Sequence, residues 1–274
     1  MSNAETAQIV GITLVRNEDV FVERAVRNAT DFCDRLIIAD HYSTDRTYEI
    51  VSKLAAEFPD KIELRRITDT RESHFLINGF AGSRTWIFAV DGDEIYDPAG
   101  LVRLREEVLA GKYDDWWIVF GNVLNCTAVD AVGGTATGYL APPCRSMTKL
   151  FNFGLIESWD GAVTHVMANG TVKFKPGYDA SRRLNLHEQF TWEESHYRCL
   201  HTCFVPRSTL DCGSGVARPN VSENRRRGIT TLMRKAIHLL LRKPLPSEWK
   251  LEKYARGPLV TIDAKAFFPE TTKI

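Results

Sequence analysis

Two hydrophobic periods alternate along the first third of the chain. Short apolar runs typical of buried strands are separated by segments in which apolar residues recur at helical spacing. The runs are residues 8–15, 35–40, 61–67 and 85–91, and the helical segments are 17–32, 43–58 and 74–84. Ser43 or Thr44 is placed to cap the second helix. Strands alternating with helices over short connections predict an α/β fold with a mostly parallel central sheet flanked by helices.

The pattern is less regular in the rest of the chain. Residues 114–124, 148–154 and 169–176 favour strands. The segment 125–147 is rich in Gly and Pro, which predicts a mobile loop. A basic helix is predicted from about residue 222 to residue 242.

Polar clusters follow three of the predicted strands. Ligands of parallel α/β sheets bind at the carboxyl ends of the strands. The clusters are Arg16–Glu18, Asp40–Asp45 and Asp91–Glu94. We therefore expect three distant parts of the sequence to meet in one crevice.

The third cluster places three acids in four positions, Asp91, Asp93 and Glu94. Such acids repel one another unless a positive charge lies between them. On a strand end, residues i and i+2 point the same way, so Asp91 and Asp93 can reach one hard cation such as Mg²⁺ or Mn²⁺. Gly92 between them allows a ligand to approach the backbone. An acid-rich surface turn is the alternative interpretation.

Asp40 is the second candidate for ligand binding. Helix capping explains Ser43 or Thr44, but it does not explain a separate carboxylate where a strand ends. An acid at this position of a dinucleotide-binding fold contacts ribose hydroxyls.

The blocks "LVRNED", "IIADHYSTDRT" and "WIFAVDGDE", in this order and spacing, resemble a family 2 glycosyltransferase of the GT-A fold over residues 8–98. The resemblance implies metal-dependent transfer of a sugar from a nucleoside-diphosphate sugar, with a UDP-sugar favoured. The acceptor would be a hydroxyl of a carbohydrate or lipid-linked molecule, attacked with inversion, in surface polysaccharide or glycoconjugate synthesis. It further implies a catalytic domain over residues 1–215 and a basic helical extension over 216–274 packed on it.

The resemblance also implies a set of site residues. The nucleotide and donor sugar would be contacted by Leu14, Val15, Arg16, Glu18, Asp40, Asp45, Arg71, Asn78 and Asp91. Mn²⁺ or Mg²⁺ would be bound by Asp93 and Asp91, with His201 as a further ligand and His165 and His187 as rival candidates. His41 stands where many members have a second acid or an Asn.

A glycosyl transfer with inversion needs a base close to the acceptor hydroxyl. The candidates are Asp160, Glu157 and Glu188, and Asp160 is favoured because Trp159 beside it could stack on a sugar ring. Solvated surface acids are the alternative. Closure of the 125–147 loop would exclude water from the donor.

The amino-acid composition limits the kinds of partner molecule that we expect for this chain. Lys plus Arg equals Asp plus Glu at 35 each, which argues against nucleic acid as a partner. The segment 225–256 nevertheless holds ten basic and two acidic residues. Its amphipathic pattern predicts contact with an anionic membrane surface, with the catalytic domain or with a second copy in a homodimer. A solvated charged face is the alternative. Six scattered cysteines and no long apolar run favour a cytoplasmic protein, with peripheral contact at the inner membrane face.

Other classes of protein remain alternatives. A nucleotidyltransferase would carry a Gly-rich phosphate loop after the first strand, where "VRNEDV" has no glycine. An Asp-x-Asp phosphohydrolase would place its acids after the first strand rather than the fourth. A nucleotide- or carbohydrate-binding module without turnover would keep the same acids.

Overall fold

The computed structural model describes residues 6–69, 72–146, 148–160, 171–211 and 249–269. Its strands are β1 (Gln8–Val15), β2 (Arg35–Asp40), β3 (Ile62–Arg66), β4 (Thr85–Ala89), β5 (Glu94–Tyr96), β6 (Ile118–Phe120), β7 (Asn122–Asp130), β8 (Thr135–Leu140), β9 (Lys149–Asn152), β10 (Ile156–Asp160), β11 (Thr171–Phe174), β12 (Arg183–Asn185), β13 (Arg198–His201) and β14 (Leu259–Asp263). Its helices are α1 (Val22–Thr30), α2 (Thr47–Glu57), α3 (Glu72–Phe75), α4 (Pro98–Leu109), α5 (Leu186–Gln189) and α6 (Trp249–Tyr254). Short 3₁₀ turns span Asn78–Phe80, Phe153–Leu155 and Lys265–Phe267.

The main sheet has seven strands in the order β12-β6-β9-β4-β1-β2-β3. Strands β1 to β4 are mutually parallel, and β9 runs antiparallel to both of its neighbours. The predicted α/β class with a mostly parallel central sheet is therefore confirmed. The carboxyl ends of β1, β2 and β4 lie side by side at one edge, as expected for the polar clusters.

Each face of the main sheet has its own apolar layer, because successive strand residues point to opposite faces. Ile9, Leu36 and Phe88 pack with buried residues of α1, α2 and α4. The other face, which includes Val10 and Ile37, packs against the segment around the first 3₁₀ turn and the β10–β11 hairpin. Helices thus cover one face, and mainly short turns and a hairpin cover the other.

Two local predictions were wrong. The helix expected over 74–84 is replaced by the short α3 and a 3₁₀ turn, with Gly79 and Gly82 in the segment. The loop expected over 125–147 is largely the β7–β8 hairpin. Its turn is closed by the Asp130 carboxylate, which accepts hydrogen bonds from the backbone N–H groups of Val132 and Gly133. The Gly residues therefore shape a hairpin turn, and lid closure by the whole segment is not supported.

A second sheet follows the acidic cluster, with five strands in the order β14-β8-β7-β13-β5. The C-terminal segment contributes β14, which pairs with β8. It also contributes Phe267, which is fully buried among apolar residues of the second sheet. The basic helix expected over 222–242 lies outside the described residues. The proposed domain boundary at residue 215 lies outside them as well.

Within the described ranges, no helix is long and apolar enough to cross a membrane. The five cysteines in those ranges are all buried and free of disulfides.

Candidate functional site

The Asp91–Asp93 turn joins the two sheets. Strand β4 ends at Ala89 and β5 begins at Glu94, so the turn crosses from the first sheet to the second. Antiparallel pairing places Lys149 of β9 opposite Ala89 and His201 of β13 opposite Glu94. Strand register therefore brings one cation and one imidazole to the acidic turn.

Asp93 is neutralised by an arginine. Nη1 of Arg207 donates a hydrogen bond to Oδ2 of Asp93 and lies 3.5 Å from Oε1 of Glu18. Burial lowers the pKa of Arg207, but the charges of Asp93 and Glu18 outweigh it and raise that pKa. Arg207 is consequently a permanent cation shared by the acids that follow β1 and β4.

Asp91 faces a lysine. Nζ of Lys149 lies 3.6 Å from Oδ2 of Asp91. Burial opposes the charge of Lys149, but the neighbouring carboxylates of Asp91, Glu94 and Asp93 raise its pKa. The pair is half open to solvent, since the Asp91 side chain is 45% exposed and that of Lys149 is 16% exposed.

Glu94, the third acid of the cluster, is buried. Its Oε2 accepts hydrogen bonds from the Tyr96 hydroxyl at 3.0 Å and from the Asp91 N–H at 3.3 Å. Burial, followed by repulsion from Asp91, raises the pKa of Glu94 well above its ordinary value. The three adjacent acids coexist because two have protein cations and the third favours its neutral form.

A segment after β13 holds Arg207 in place. Val20 N–H donates to the Arg207 carbonyl at 3.0 Å, and the Ser208 hydroxyl donates to Asp45 at 2.6 Å. Thr209 N–H donates to Asp19 at 2.7 Å. Asp45 thus binds this segment to the end of β2.

The loops after β1 and β2 are in direct contact. Asn17 N–H donates to the Ser43 hydroxyl at 3.1 Å, and Thr44 N–H donates to the Asn17 side-chain oxygen at 2.7 Å. The prediction that Ser43 or Thr44 caps α2 was wrong, because the helix begins at Thr47 and Arg46 precedes it. The two side chains connect neighbouring strand ends instead.

Asp40 is fully buried at the end of β2. Arg66 at the end of β3 lies 3.3 Å from it and stacks over Tyr42 and Tyr48. Both Asp40 oxygens also accept from Ser43 N–H at 3.3 Å. Asp40 therefore shapes the turn after β2.

His41 is fixed between two partners beside Asp40. Nη1 of Arg16 lies 3.3 Å from Nδ1 of His41, and Nε2 lies 3.0 Å from the Thr68 carbonyl. Since arginine only donates and a carbonyl only accepts, a neutral His41 carries its proton on Nε2. Arg16 and His41 thus form one unit at the edge where the base or ribose was expected. Leu14, half-buried, and Val15, fully buried, precede this unit on β1.

Gly92 leaves room for a carboxylate of the protein itself. A Cβ on Gly92 would lie 2.2 Å from Oε2 of Glu18 and 3.1 Å from a methyl carbon of Val15. The group that approaches the backbone here is the Glu18 carboxylate of the protein itself. The missing side chain allows Glu18 to reach Arg207.

His201 faces Asp93 with a defined tautomer. Nε2 lies 3.8 Å from Oδ2 of Asp93, and Nδ1 lies 2.8 Å from the side-chain oxygen of Asn125. The nitrogen of the Asn125 amide donates to Cys144 Sγ, so its oxygen accepts from Nδ1–H of His201. The neutral imidazole therefore directs the lone pair of Nε2 toward Asp93, as metal-binding histidines do.

The donor set fits a divalent cation only in part. One carboxylate oxygen of Asp93 and Nε2 of His201 are suitable ligands, and Mg²⁺ or Mn²⁺ commonly takes its remaining oxygens from phosphates and water. Within the described ranges no group of three His, Cys, Asp or Glu residues is arranged to hold a metal alone. Asp91 is paired with Lys149, and Asp93 already bonds Arg207. A cation at this position would have to share Asp93 with Arg207 or displace it.

The remaining predicted residues make their described contacts with other parts of the protein or lie outside the described ranges. Arg71 and the side chain of Asp160 lie outside the described residues. Asn78 begins the 3₁₀ turn on the face opposite the main helices. Glu157 is exposed and pairs with Lys173, and Glu188 is exposed 3.9 Å from His187.

Trp159 was expected to stack on a sugar, and that prediction was wrong. Its ring is buried and packs beside Phe153 and His74. The neighbouring apolar strands account for this, because Trp159 points inward from β10.

Three site residues were missed in the sequence: Lys149, Arg207 and Asn125. A lysine or arginine next to an apolar strand is common, so its type alone gave no signal. The sequence around Lys149 predicts a strand, but only the antiparallel pairing of that strand with β4 shows that Lys149 lies at the acidic turn.

No protein-family model and no curated protein matches the chain. Among solved structures it is similar to a mannosyltransferase from Pyrobaculum calidifontis in complex with GDP-Man and Mn²⁺, at 19% identity over 42% of this chain and 35% of that one, with a TM-score of 0.34. It is similar to S. aureus TarS 1–349 in complex with UDP, at 12% identity over 70% and 60% of the chains, with a TM-score of 0.43. A third is glucosyl-3-phosphoglycerate synthase from Mycobacterium tuberculosis with Mn²⁺, UDP and glucosyl-3-phosphoglycerate, at 18% identity over 42% and 43%, with a TM-score of 0.28. The matched part is thus 35% to 60% of their lengths, and a likeness of this degree assigns neither family nor activity to the chain.

Proposed function

We propose that the chain is a glycosyltransferase that moves a sugar from a nucleoside-diphosphate sugar to an acceptor hydroxyl. The observation that carries the proposal is the contact among three strand-end clusters. Asn17 bonds the turn after β2, and Glu18 shares Arg207 with Asp93 after β4. A crevice formed in this way offers groups for a nucleotide and for a diphosphate along one sheet edge.

The nucleotide would lie beside β1 and β2. Arg16, His41 and Asp40 are polar groups at those strand ends, and Leu14 and Val15 are apolar residues at the end of β1. A UDP-sugar is the favoured donor, from the sequence resemblance alone.

The diphosphate would lie at the Asp91–Asp93 turn. Asp93 and His201 would hold Mn²⁺ or Mg²⁺, which when bound neutralises charge on the leaving diphosphate. Lys149 and Arg207 contribute fixed positive charge at the same place, and preorganised charge of this kind stabilises a developing anion.

The acceptor hydroxyl would be attacked with inversion. Asp160, Glu157 and Glu188 remain the candidate bases, and in the described ranges Glu157 pairs with Lys173 and Glu188 lies 3.9 Å from His187. The product would belong to surface polysaccharide or glycoconjugate synthesis. The basic segment over 222–242 would contact the cytoplasmic face of a membrane or a second copy of the chain.

A donor screen tests the proposal. Release of nucleoside diphosphate is measured for UDP- and GDP-sugars with Mn²⁺, with Mg²⁺ and with EDTA. We expect metal-dependent release that is lost in Asp93→Asn and retained in Asp115→Asn, a change at an exposed acid outside the strand-end clusters. Failure of every donor to bind or turn over would refute the proposal.

The same assay separates the alternatives. A nucleotidyltransferase would release pyrophosphate from a nucleoside triphosphate rather than diphosphate from a nucleotide sugar. A non-catalytic module would bind a nucleotide sugar, as seen by calorimetry, without releasing diphosphate.

A further inference from the structure

A basic pocket lies beside the charged turn, between the segment after β8 and α6. Its volume is about 450 Å³, within the range of sites for small molecules. It is lined by Pro143, Arg145, Glu252, Lys253 and Arg256. None of these residues belongs to the strand-end clusters described above.

The pocket walls are held by local packing. Gly257, just after α6, has φ of +86°, and a Cβ there would lie 2.7 Å from the Pro143 ring. Only glycine adopts this conformation easily, so the turn after α6 lies directly against Pro143. Strand β14 then pairs with β8, with Leu259 opposite Tyr139. These contacts hold the turn that follows Arg256 against the segment that contains Arg145, and both arginines line the same pocket.

Helix α6 also ties the pocket to the candidate metal ligand. The buried ring of Tyr254 packs edge-on against His201, with the ring centres 5.3 Å apart. Tyr254 clusters with Cys203 and Phe204, which follow β13. The helix therefore carries Lys253 next to the elements that form the charged turn.

The pocket has an excess of positive charge. Its lining contains three cations and one carboxylate, Glu252. In the described ranges Arg145 and Arg256 form no ion pair, and Nε of Arg256 donates to the Glu252 carbonyl. Burial and the charges of Arg145 and Lys149 lower the pKa of Lys253 to about 8. Cations that repel one another in this way favour an anion between them.

The strand order gives the position of the pocket relative to the nucleotide. Main-sheet strands run β9-β4-β1-β2-β3, so Asp40 and Arg66 lie on one side of Asp91, and Lys149 lies on the other. Nζ of Lys149 lies 3.6 Å from Asp91, and the charge of Lys149 also acts on Lys253 of the pocket. The pocket is thus on the side of the charged turn away from the expected nucleotide base, where the acceptor has to approach.

We propose that this pocket binds a phosphate group of the acceptor, so that the acceptor is a phosphorylated sugar, polyol or lipid-linked sugar. Arg145 and Arg256 would grip the phosphate oxygens, because guanidinium groups match phosphate in geometry and charge. The inference rests on the proposed glycosyltransferase function. It adds the chemical class of acceptor, which the strand-end site does not define.

The test is calorimetric titration of the full chain with inorganic phosphate, alone and with saturating UDP and Mg²⁺. We expect phosphate to bind in both conditions. Arg145→Gln and Arg256→Gln should each weaken phosphate binding by about tenfold, the usual effect of losing a charge-assisted hydrogen bond. The control Arg103→Gln, at an exposed position of α4, should bind phosphate as the wild type does. UDP affinity should be unchanged in all variants.

Each of the following outcomes would overturn the proposal. Absence of phosphate binding by the wild-type protein, or unchanged phosphate binding by the two pocket variants, removes the anion site. Competition between UDP and phosphate, or loss of UDP affinity in the pocket variants, would assign the pocket to the donor diphosphate. Phosphate binding in a protein that binds no nucleotide or donor would refute the proposed function and the acceptor role with it, while the anion site itself remained.

Discussion

The guanidinium of Arg207 is hydrogen-bonded to the carboxylate of Asp93, across 114 positions of sequence. The Asp93 side chain is 3% exposed and that of Arg207 is 18% exposed, so the pair is shielded from water. Glu18 completes the group at 3.5 Å. The charge that balances the strand-end acids in this protein is therefore supplied in part by the chain itself, before any metal or donor is bound.

Arg207→Gln should destabilise the fold by about 3 kcal/mol, because it leaves two poorly hydrated carboxylates without their cation. Urea unfolding followed by circular dichroism measures the loss. Arg103→Gln is the control, and a change at that exposed site should stay within about 0.5 kcal/mol. Equal stability of the two variants would show that Arg207 contributes nothing to balancing the buried acids.

The same variant tests the metal assignment. With Arg207 gone, Asp93 is available to a cation, and a ligand that binds only the folded state raises its stability. Mn²⁺ should therefore raise the melting temperature of Arg207→Gln more than that of the wild type. Equal shifts in the two proteins would show that Arg207 does not compete with the metal for Asp93.

Much of the main sheet could be predicted because its signals are local. The apolar periods up to Asp91 define strands and helices one at a time, and parallel sheets put their strand ends together. The proximity of Asn17, Ser43 and Asp93 follows from this rule without knowledge of any side-chain contact. The segment 125–147 was harder to predict, because Gly and Pro residues occur both in the turns of hairpins and in irregular loops.

The two cations of the site, Lys149 and Arg207, could not be predicted in the same way. Lys149 reaches Asp91 only because β9 inserts antiparallel beside β4. Arg207 reaches Asp93 only because the segment after β13 returns to Asp19 and Asp45. Both arrangements depend on pairing between residues far apart in sequence, and no local pattern records them.

Asn125 is predicted to be a positioning residue for metal binding through His201. Asn125→Leu removes the acceptor that keeps the proton on Nδ1, and loss of such a partner commonly weakens metal binding by 10–100-fold. Mn²⁺ affinity, measured by electron paramagnetic resonance, should fall by about tenfold.

Asn125→Asp is the matched control, because it keeps an oxygen acceptor at the same place. It should retain Mn²⁺ affinity close to that of the wild type. If both variants bind Mn²⁺ like the wild type, Asn125 does not act on metal binding through His201. If both variants lose Mn²⁺ affinity equally, the side-chain oxygen of Asn125 does not orient the imidazole of His201.

Glu94 should make the fold less stable as pH rises. Its pKa in the folded protein is raised above its ordinary value of 4.5, chiefly by burial. Its favourable contribution is then complete below about pH 4.5 and is lost as pH rises toward the folded pKa, by about 1.4 kcal/mol per pH unit. Glu94→Gln cannot ionise, so its stability relative to the wild type should increase from pH 5 to pH 8.

The measurement is urea unfolding of both proteins at several pH values. A difference in the free energy of unfolding that stays constant with pH would reflect only the altered hydrogen bond with Tyr96. A difference that grows with pH reflects the ionisation of Glu94. Glu106→Gln, at an exposed position of α4, should show no such growth. If the difference in unfolding free energy between Glu94→Gln and the wild type does not change with pH, the pKa of Glu94 is not raised.

The close approach of Glu18 to Gly92 can be measured as a coupling between two substitutions. Gly92→Ala places a methyl group 2.2 Å from Oε2 of Glu18, which has to move away from Arg207, and we expect a loss of about 1–3 kcal/mol. In a Glu18→Ala background the obstructing carboxylate is absent, so the same change should cost much less, leaving only the tighter contact with Val15. Gly79→Ala, where no atom lies within 4 Å of the new carbon, is the control and should behave alike in both backgrounds. If Gly92→Ala costs the same with and without the Glu18 carboxylate, the glycine is required for some reason other than Glu18.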